Sequence, residues 1–344
     1  MTENRNAPSK MTTLPARVVE VPAAHEGRRL DKYLRAQLKG VPASLLFRLL
    51  RKGRLRVNGG RVQPNYRLVA GDRLELPAME IPDTGPPVKL PGALLRQVER
   101  GIIHEDAELI VLNKPAEVAV HVGTGVAGGV IEALRHLRPD QPDLELAHRL
   151  DRETSGLLMV AKTPAMLRHL QRVLREEETA LDRRYLALVR GCWPERLTRV
   201  DAPLLRTPHG VTVDRGGQGA LTRFSIVRRF GSAATLVEAQ LVTGRKHQIR
   251  VHAEHAGHPI GGDRRHGDEG FNRRLRELGG THMFLHAARL SIPLPDGEVL
   301  DLDTDVPAGW QRTIDGLAGR PGRSGQSGSS GSPRPHRPRR PRRR

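Results

Sequence analysis

Five prolines fall between positions 77 and 92, at Pro77, Pro82, Pro86, Pro87 and Pro91. A proline has no backbone N–H and clashes with the preceding turn, so a stretch this punctuated holds neither a helix nor a central strand. The chain is therefore expected to fold as two units joined by a linker at 77–92. Charge follows the same division. Between Arg28 and Arg73, 13 Lys and Arg stand against only Asp31 and Asp72, giving +11, and from Arg320 onward there are nine Arg and no acids, giving +9. The whole chain carries +19, so the remainder comes to about −1. A cationic module and a cationic tail flanking a near-neutral body suit a division of labour in which the flanks hold a polyanion. A solvated charged face accounts for scattered charge better than for this segregation.

Hydrophobic residues make up 37% of the 344 positions and aromatics only 3%, which allows a core built mainly of aliphatic side chains. No run of about 18 apolar residues occurs, and Met1-Thr-Glu-Asn-Arg opens the chain without an apolar h-region, so neither a membrane span nor a secretory signal is indicated. Cys192 is the single cysteine; it forms no intramolecular disulfide or CxxC zinc site and fits a reducing compartment. The expected location is the cytoplasm.

In the first unit, Leu30, Tyr33, Leu34 and Leu38 follow helical spacing and leave a cationic opposite face. Gly40 and Pro42 break that helix. Ser44 is the expected N-cap of a second, whose apolar stripe is Leu45, Leu46, Leu49 and Leu50, closing at Gly53. Residues 55–62, centred on Asn58-Gly59, read as a hairpin, and 69–76 as a turn and strand. Arg28, Arg29, Lys32, Arg35, Arg48, Arg51, Lys52, Arg54 and Arg56 are the candidate phosphate contacts of this module.

In the body, residues 109–112 and 118–122 read as strands and 130–137 as a helix. The loop Gly123-Thr124-Gly125-Val126-Ala127-Gly128 matches GxGxxG, so a dinucleotide-binding unit is an alternative. Against it, the next segment offers only a short Leu144-Glu-Leu-Ala strand where a βαβ unit needs a strongly apolar one. The string His148-Arg149-Leu150-Asp151-Arg152-Glu153-Thr154-Ser155-Gly156-Leu157-Leu158 sets one carboxylate between two arginines, ahead of a Ser/Gly turn. Nearby cations favour an ionised carboxylate, so Asp151 reads as a nucleophile or fixed anion, with a salt bridge at a strand end as the plainer alternative. Tyr185, beside Arg183 and Arg184 at the start of an apolar strand, is a candidate base-stacking or proton-handling group, or a tyrosine packed at a strand edge. His247, His252, His255 and His258 invite a metal reading, but there is no HExxH and no carboxylate nearby beyond Glu254. If Thr243 caps a helix running to Gly257, then Ile249, Ala253 and Ala256 face the core, while His247 and Arg250 share a face from which Arg250 can pair with Asp151.

These strings, in this order, resemble the RluA/RluC/RluD family of RNA pseudouridine synthases. The likeness runs from 28 to 307 and rests on the string around Asp151, on Tyr185-Leu-Ala-Leu-Val-Arg-Gly and on Thr243-Gly-Arg-Lys-His-Gln-Ile-Arg-Val-His. Residues 28–76 resemble the S-four-like RNA-binding module found in many of these enzymes. Two positions depart from the family pattern: Glu117 replaces a usual glycine and His266 a common tyrosine. The resemblance implies isomerisation of uridine to pseudouridine with no cofactor and no metal. It assigns Asp151 as the catalytic carboxylate, Arg250 as its ion-pair partner, Tyr185 as the group against the target base, and Arg149 as the wedge that fills the space of the flipped nucleotide. Large-subunit (23S) ribosomal RNA is the expected substrate, closest to the RluC-type branch, with transfer RNA and a non-catalytic RNA-binding factor as alternatives. The expected fold is α+β, a mixed and largely antiparallel sheet with a small N-terminal module. The expected organisation is a 1–27 extension, the 28–76 module, the 77–92 linker, a 93–318 catalytic domain acting as a monomer, and a 319–344 disordered basic tail.

Overall fold

The computed structural model describes residues 11–38, 40–82, 90–122, 128–176, 181–208 and 210–319. The basic tail beyond Gly319, the first ten residues, the centre of the proline-rich linker and most of the GxGxxG loop lie outside the described residues.

The N-terminal module contains strands β1 (Met11–Leu14) and β2 (Arg17–Glu20), a 3-10 turn (Ala23–His25), helices α1 (Leu30–Gln37) and α2 (Ala43–Arg51), and strands β3 (Arg56–Val57), β4 (Arg73–Leu76) and β5 (Met79–Pro82). The helical stripes of the sequence become its core, with Leu30, Tyr33, Leu34, Leu46, Leu49 and Leu50 packed against Leu74 and Leu76. Pro42, not Ser44, is the N-cap of α2; Ser44 already lies inside the helix and makes no side-chain cap. Asn58 and Gly59 take φ of 50° and 77°, the two left-handed positions of a tight turn, and Val57 and Gly60 exchange backbone hydrogen bonds across it at 3.0 and 2.8 Å. The strand on the far side is not the rest of the hairpin, because β3 pairs with β4.

Regular structure extends beyond residues 28–76 on both sides. Residues expected in an N-terminal extension form β1 and β2, and β2 lies antiparallel to β4 as an edge of the module's three-stranded sheet. The first part of the expected linker forms β5, paired with β1. Its Pro82 is tolerated because it ends a strand in a two-stranded ribbon, where no second neighbour asks for its missing N–H.

The larger unit runs α3 (Gly92–Arg100), β6 (Ile102–Glu105), β7 (Leu109–Lys114), α4 (Val130–Leu137), β8 (Glu145–Leu146), β9 (Ser155–Ala161), α5 (Pro164–Val173) and β10 (Asp182–Arg190). It continues through β11 (Arg199–Asp201), β12 (Leu204–Thr207), β13 (Gly210–Val213), β14 (Leu221–Phe230), β15 (Ala234–Leu241), α6 (Gln248–His255), α7 (Glu269–Glu277), β16 (Leu285–Pro293), β17 (Val299–Asp303) and α8 (Gly309–Leu317). One large sheet has the order β11-β14-β15-β10-β16-β9-β7-β6, with β17 beside β16 and β8 beside β9. Every pairing is antiparallel except β9 with β16. The fold is thus α+β with a mixed, largely antiparallel sheet. Strands β7 and β9 are continuously apolar because both faces are covered: Ile110, Leu112, Leu158 and Val160 enter one core, while Leu109, Val111, Leu157 and Met159 enter another.

Residues 118–122, expected as a strand, form none. The carbonyls of Ala119 and Val120 accept instead from the N–H groups of Val130 and Ile131, satisfying donors that the first turn of α4 leaves open. Among the described residues no helix is long and apolar enough to cross a membrane.

Candidate active site around Asp151

The parallel meeting of β9 and β16 sets the floor of the site. Ser155 and Gly156 pair with His286 and Ala287. Gly156 has φ of +109°, and a Cβ there would lie 2.3 Å from the Ala287 carbonyl oxygen, so only glycine permits this approach. The segment entering β9 is anchored on both sides of Asp151. Leu150 is buried in the core, which leaves Arg149 exposed and Asp151 half-buried. His148 Nε2 accepts the Met159 N–H at 3.1 Å. Burial, reinforced by the Arg183 charge, pushes His148 down to about 3, so it serves as a neutral acceptor. On the other side the Thr154 N–H closes a turn on the Asp151 carbonyl at 3.2 Å.

Lys114, at the end of β7, is fully buried. Its ammonium donates to the carbonyls of Pro115, Val118 and Arg152 at 2.8, 2.9 and 3.1 Å, so it ties the backbone beside Asp151 to the loop after β7. Burial pushes it down to about 7, against the pull of Asp151 and Glu117. That loop also holds Glu117 at φ +64°, a left-handed conformation that favours glycine. Its carbonyl accepts from Arg152 Nε at 3.1 Å.

Thr243 does not cap the helix that follows. α6 begins five residues later, after His247 in a left-handed conformation (φ 55°, ψ 19°). Gln248 makes the junction: its Oε1 accepts from the Thr243 hydroxyl at 2.8 Å and the Arg245 N–H at 2.9 Å, and its Nε2 donates to Leu221 O and Thr222 Oγ1, both at 3.0 Å. The shared face of His247 and Arg250 then meets Asp151. Arg250 Nη1 donates to Asp151 Oδ2 at 3.0 Å, and His247 Nε2 stands 3.8 Å from the same oxygen.

The buried Arg250 guanidinium carries more than this pair. Nε and Nη2 donate to the two oxygens of Asp263 at 2.6 and 2.8 Å, and Nη2 lies 3.3 Å from Glu153 Oε2. Asp263 also accepts the N–H groups of Arg265 and His266 at 2.9 and 3.0 Å. Burial alone would raise its pKa, but Arg250 and those backbone N–H groups outweigh it and hold the carboxyl below its usual range. Tyr185, on β10, is buried in the core. Burial pushes its phenol up, with Arg183 working against and Asp151 adding to the rise, so the hydroxyl stays neutral.

The module's cations divide. Lys32, Arg35, Arg48, Arg51, Lys52, Arg54 and Arg56 are exposed. Arg28 is not free for a phosphate: its guanidinium is nearly buried, 3.3 Å from Asp143 and 3.5 Å from Glu145 of the larger unit. Arg29 is spent in a bidentate pair with Asp31 at 3.0 and 2.8 Å. Of the histidines, His252 uses one nitrogen on Thr222 Oγ1 and donates the other to Ala202 O, while His258 donates to Arg190 O, so they serve separate partners. Asp263, Lys114 and Glu153 were not singled out as site residues. The only sign of Asp263 was its place at the end of Gly257-His-Pro-Ile-Gly-Gly-Asp.

The chain is similar to known proteins along most of its length. A family model described as RNA pseudouridylate synthase matches residues 108–255, and an S4 domain model matches residues 28–74. A ribosomal large subunit pseudouridine synthase C from Pasteurella multocida is 45% identical over 307 residues, covering 87% of this chain and 93% of its own. One from Escherichia coli is 44% identical over 320 residues, covering 90% and 98%. Among solved structures, human RNA pseudouridylate synthase domain containing 4 superposes with a TM-score of 0.56 at 26% identity, covering 65% of this chain and 95% of its own. With its S4 domain and its Asp151-centred site, the chain belongs to the RNA pseudouridylate synthase family of isomerases.

Proposed function

We propose that this enzyme isomerises uridine to pseudouridine in large-subunit ribosomal RNA, in the cytoplasm and without a cofactor. The observation that carries the reading is the Asp151–Arg250 pair: a half-buried carboxylate whose Oδ2 is held at 3.0 Å by a buried arginine that is itself clamped by Asp263. Such a partner fixes the orientation of Asp151 through a charge-assisted hydrogen bond. Asp151 Oδ1 has no partner among the described residues and is the reacting oxygen in this reading. The uridine must leave its stack to reach that oxygen, at a cost of roughly a few kcal/mol. Exposed Arg149, two residues from Asp151 with its own side chain outward, is the group to fill the vacated space. Tyr185 lies against the uracil. The exposed cations of the module hold the RNA backbone, a role that needs charge rather than sequence reading. The named substrate of the relatives supports the choice of ribosomal RNA.

The test is carbodiimide-based pseudouridine mapping of ribosomal and transfer RNA from cells lacking the enzyme, complemented with wild type or Asp151→Asn. Large-subunit sites restored by wild type alone support the reading. Restoration by Asp151→Asn, or sites confined to transfer RNA, would refute it.

A further inference from the structure

Behind Asp151 runs a chain of side chains that the ion pair does not use. His247 Nδ1 lies 3.1 Å from His266 Nε2, and His266 Nδ1 lies 2.9 Å from Glu254 Oε2. His247 and His266 are largely shielded from water, whereas the Glu254 side chain is about half exposed (49%). The contact to a carboxylate sets the proton positions. A carboxylate accepts, so His266 Nδ1 carries a proton; with His266 Nε2 as the acceptor of His247 Nδ1–H, the lone pair of His247 is left on Nε2. That nitrogen is the one 3.8 Å from Asp151. The opposite tautomers would set a lone pair against the Glu254 carboxylate at 2.9 Å. If Nε2 takes a proton, the Nδ1 proton passes to His266, which becomes an imidazolium ion-paired with Glu254. The charge thus moves from the interior to a group in contact with solvent.

We propose that His247 is the base that accepts the C5 proton in the isomerisation, with His266 and Glu254 as positioning residues that set its tautomer and carry the proton out. The proposal rests on the pseudouridine synthase reading. His247 Nε2 stands 3.8 Å from Asp151 Oδ2, next to the oxygen assigned to the reaction, which puts it on the side of the site that the uracil must enter. The bonds balance. N1–C1′ breaks with its electron pair on the uracil, and C5 uses a ring pair to form C5–C1′, leaving C5 with both its hydrogen and the sugar. His247 Nε2 removes that hydrogen as a proton, the C5–H pair restores C5=C6, and N1 takes one proton from water. One proton leaves through Glu254 and one enters at N1. Burial, with Arg250, His266 and Lys246 acting in the same direction and Asp151 against them, pushes His247 down to about 4, so its imidazole is neutral and able to accept. The left-handed backbone at His247 is the sort of strain that persists where a side chain must be aimed.

The test compares RNA transcripts carrying protium or deuterium at uridine C5, for wild type, His247→Gln, His266→Phe and Glu254→Gln, with thermal melting of each. A positioned base contributes roughly 100-fold or more. His247→Gln is expected to lower kcat by about that factor with KM little changed, and to unmask a primary isotope effect of several-fold on product formation. His266→Phe and Glu254→Gln should each lower kcat by roughly 10-fold with the same isotope signature. Glu254, half exposed, can be replaced without threatening the fold. Slowing without an isotope effect, or no slowing, overturns the relay alone. A wild-type enzyme that isomerises no uridine overturns the reading beneath it.

Discussion

Replacing Asp263 with Asn tests what holds the Asp151–Arg250 pair together. The side chain is buried and accepts four hydrogen bonds, two from Arg250 at 2.6 and 2.8 Å and two from backbone N–H groups at 2.9 and 3.0 Å. Asparagine keeps the shape but turns one acceptor into a donor facing the guanidinium and removes the one fully buried countercharge that Arg250 has among the described residues. Breaking one side of a buried, hydrogen-bonded pair costs about 3–5 kcal/mol, a large part of the roughly 5–15 kcal/mol that holds a domain folded. For a unit this size, about 2–4 °C per kcal/mol gives a melting point lower by roughly 10 °C. Combining Asp263→Asn with Arg250→Met should cost much less than the sum of the single changes, because no buried charge is then left alone. The pH dependence has a definite sign. The folded-state pKa of Asp263 is depressed, so its contribution is complete above the unfolded carboxylate value, about 3.9, and is lost as pH falls through the lower folded value. The wild type should therefore lose its advantage over Asp263→Asn on acidification below about pH 4. Urea denaturation at pH 7 and at stepped lower pH measures both. A variant within about 1 kcal/mol of wild type at pH 7, or parallel acid limbs, would refute the argument.

Gly156→Ala should destabilise by about 3 kcal/mol or more and reduce soluble yield, since its Cβ would meet the Ala287 carbonyl at 2.3 Å and its φ of +109° suits only glycine; a near-normal melting curve would contradict the account. The two classes of cation in the module should separate in a salt titration of RNA binding. Arg48→Ala is expected to flatten the slope of log K against log salt by about one phosphate's worth. Arg28→Ala should leave that slope unchanged, because its guanidinium already faces Asp143 and Glu145.

Much of the fold was legible because its signals are local. The stripe of Leu30, Tyr33, Leu34 and Leu38 and the Asn58-Gly59 turn specify α1 and a two-residue turn wherever they occur. What stayed hidden depends on distant partners. Residues 11–20 carry no strong strand signal, and they become β1 and β2 because β5 and β4 offer free edges. Residues 118–122 alternate like a strand but give their carbonyls to α4. At the site, the pairing of Asp151 with Arg250 was implied by the family resemblance, with which opposite charge and the face shared by His247 and Arg250 agree. The clamp of Asp263 and the lysine beneath the loop did not, since a buried Lys114 and a buried Asp263 look in sequence like any surface charge. Arg28 was misjudged for the converse reason: in sequence it is one of many cations, and its partners lie more than a hundred residues away.

The electrostatics of the site run against those of the chain. Around Arg250 one buried cation meets three carboxylates, Asp151, Glu153 and Asp263, within a molecule of net charge +19. The carboxylates are not equivalent. Asp263 spends both oxygens on Nε and Nη2 and is sealed from water, so it neutralises the guanidinium without competing for a substrate. Glu153 touches only Nη2, at 3.3 Å. Nη1 is what remains, and it goes to one oxygen of Asp151, which is 28% exposed. A stronger direct pair would have tied up both oxygens of Asp151. By giving the bidentate contact to a buried residue and a single contact to the exposed one, Arg250 fixes the orientation of Asp151 while leaving its other oxygen without a hydrogen bond among the described residues. Exposed Arg149 and Arg152 flank Asp151, so a polyanion approaching this carboxylate meets cations beside it as well as on the N-terminal module.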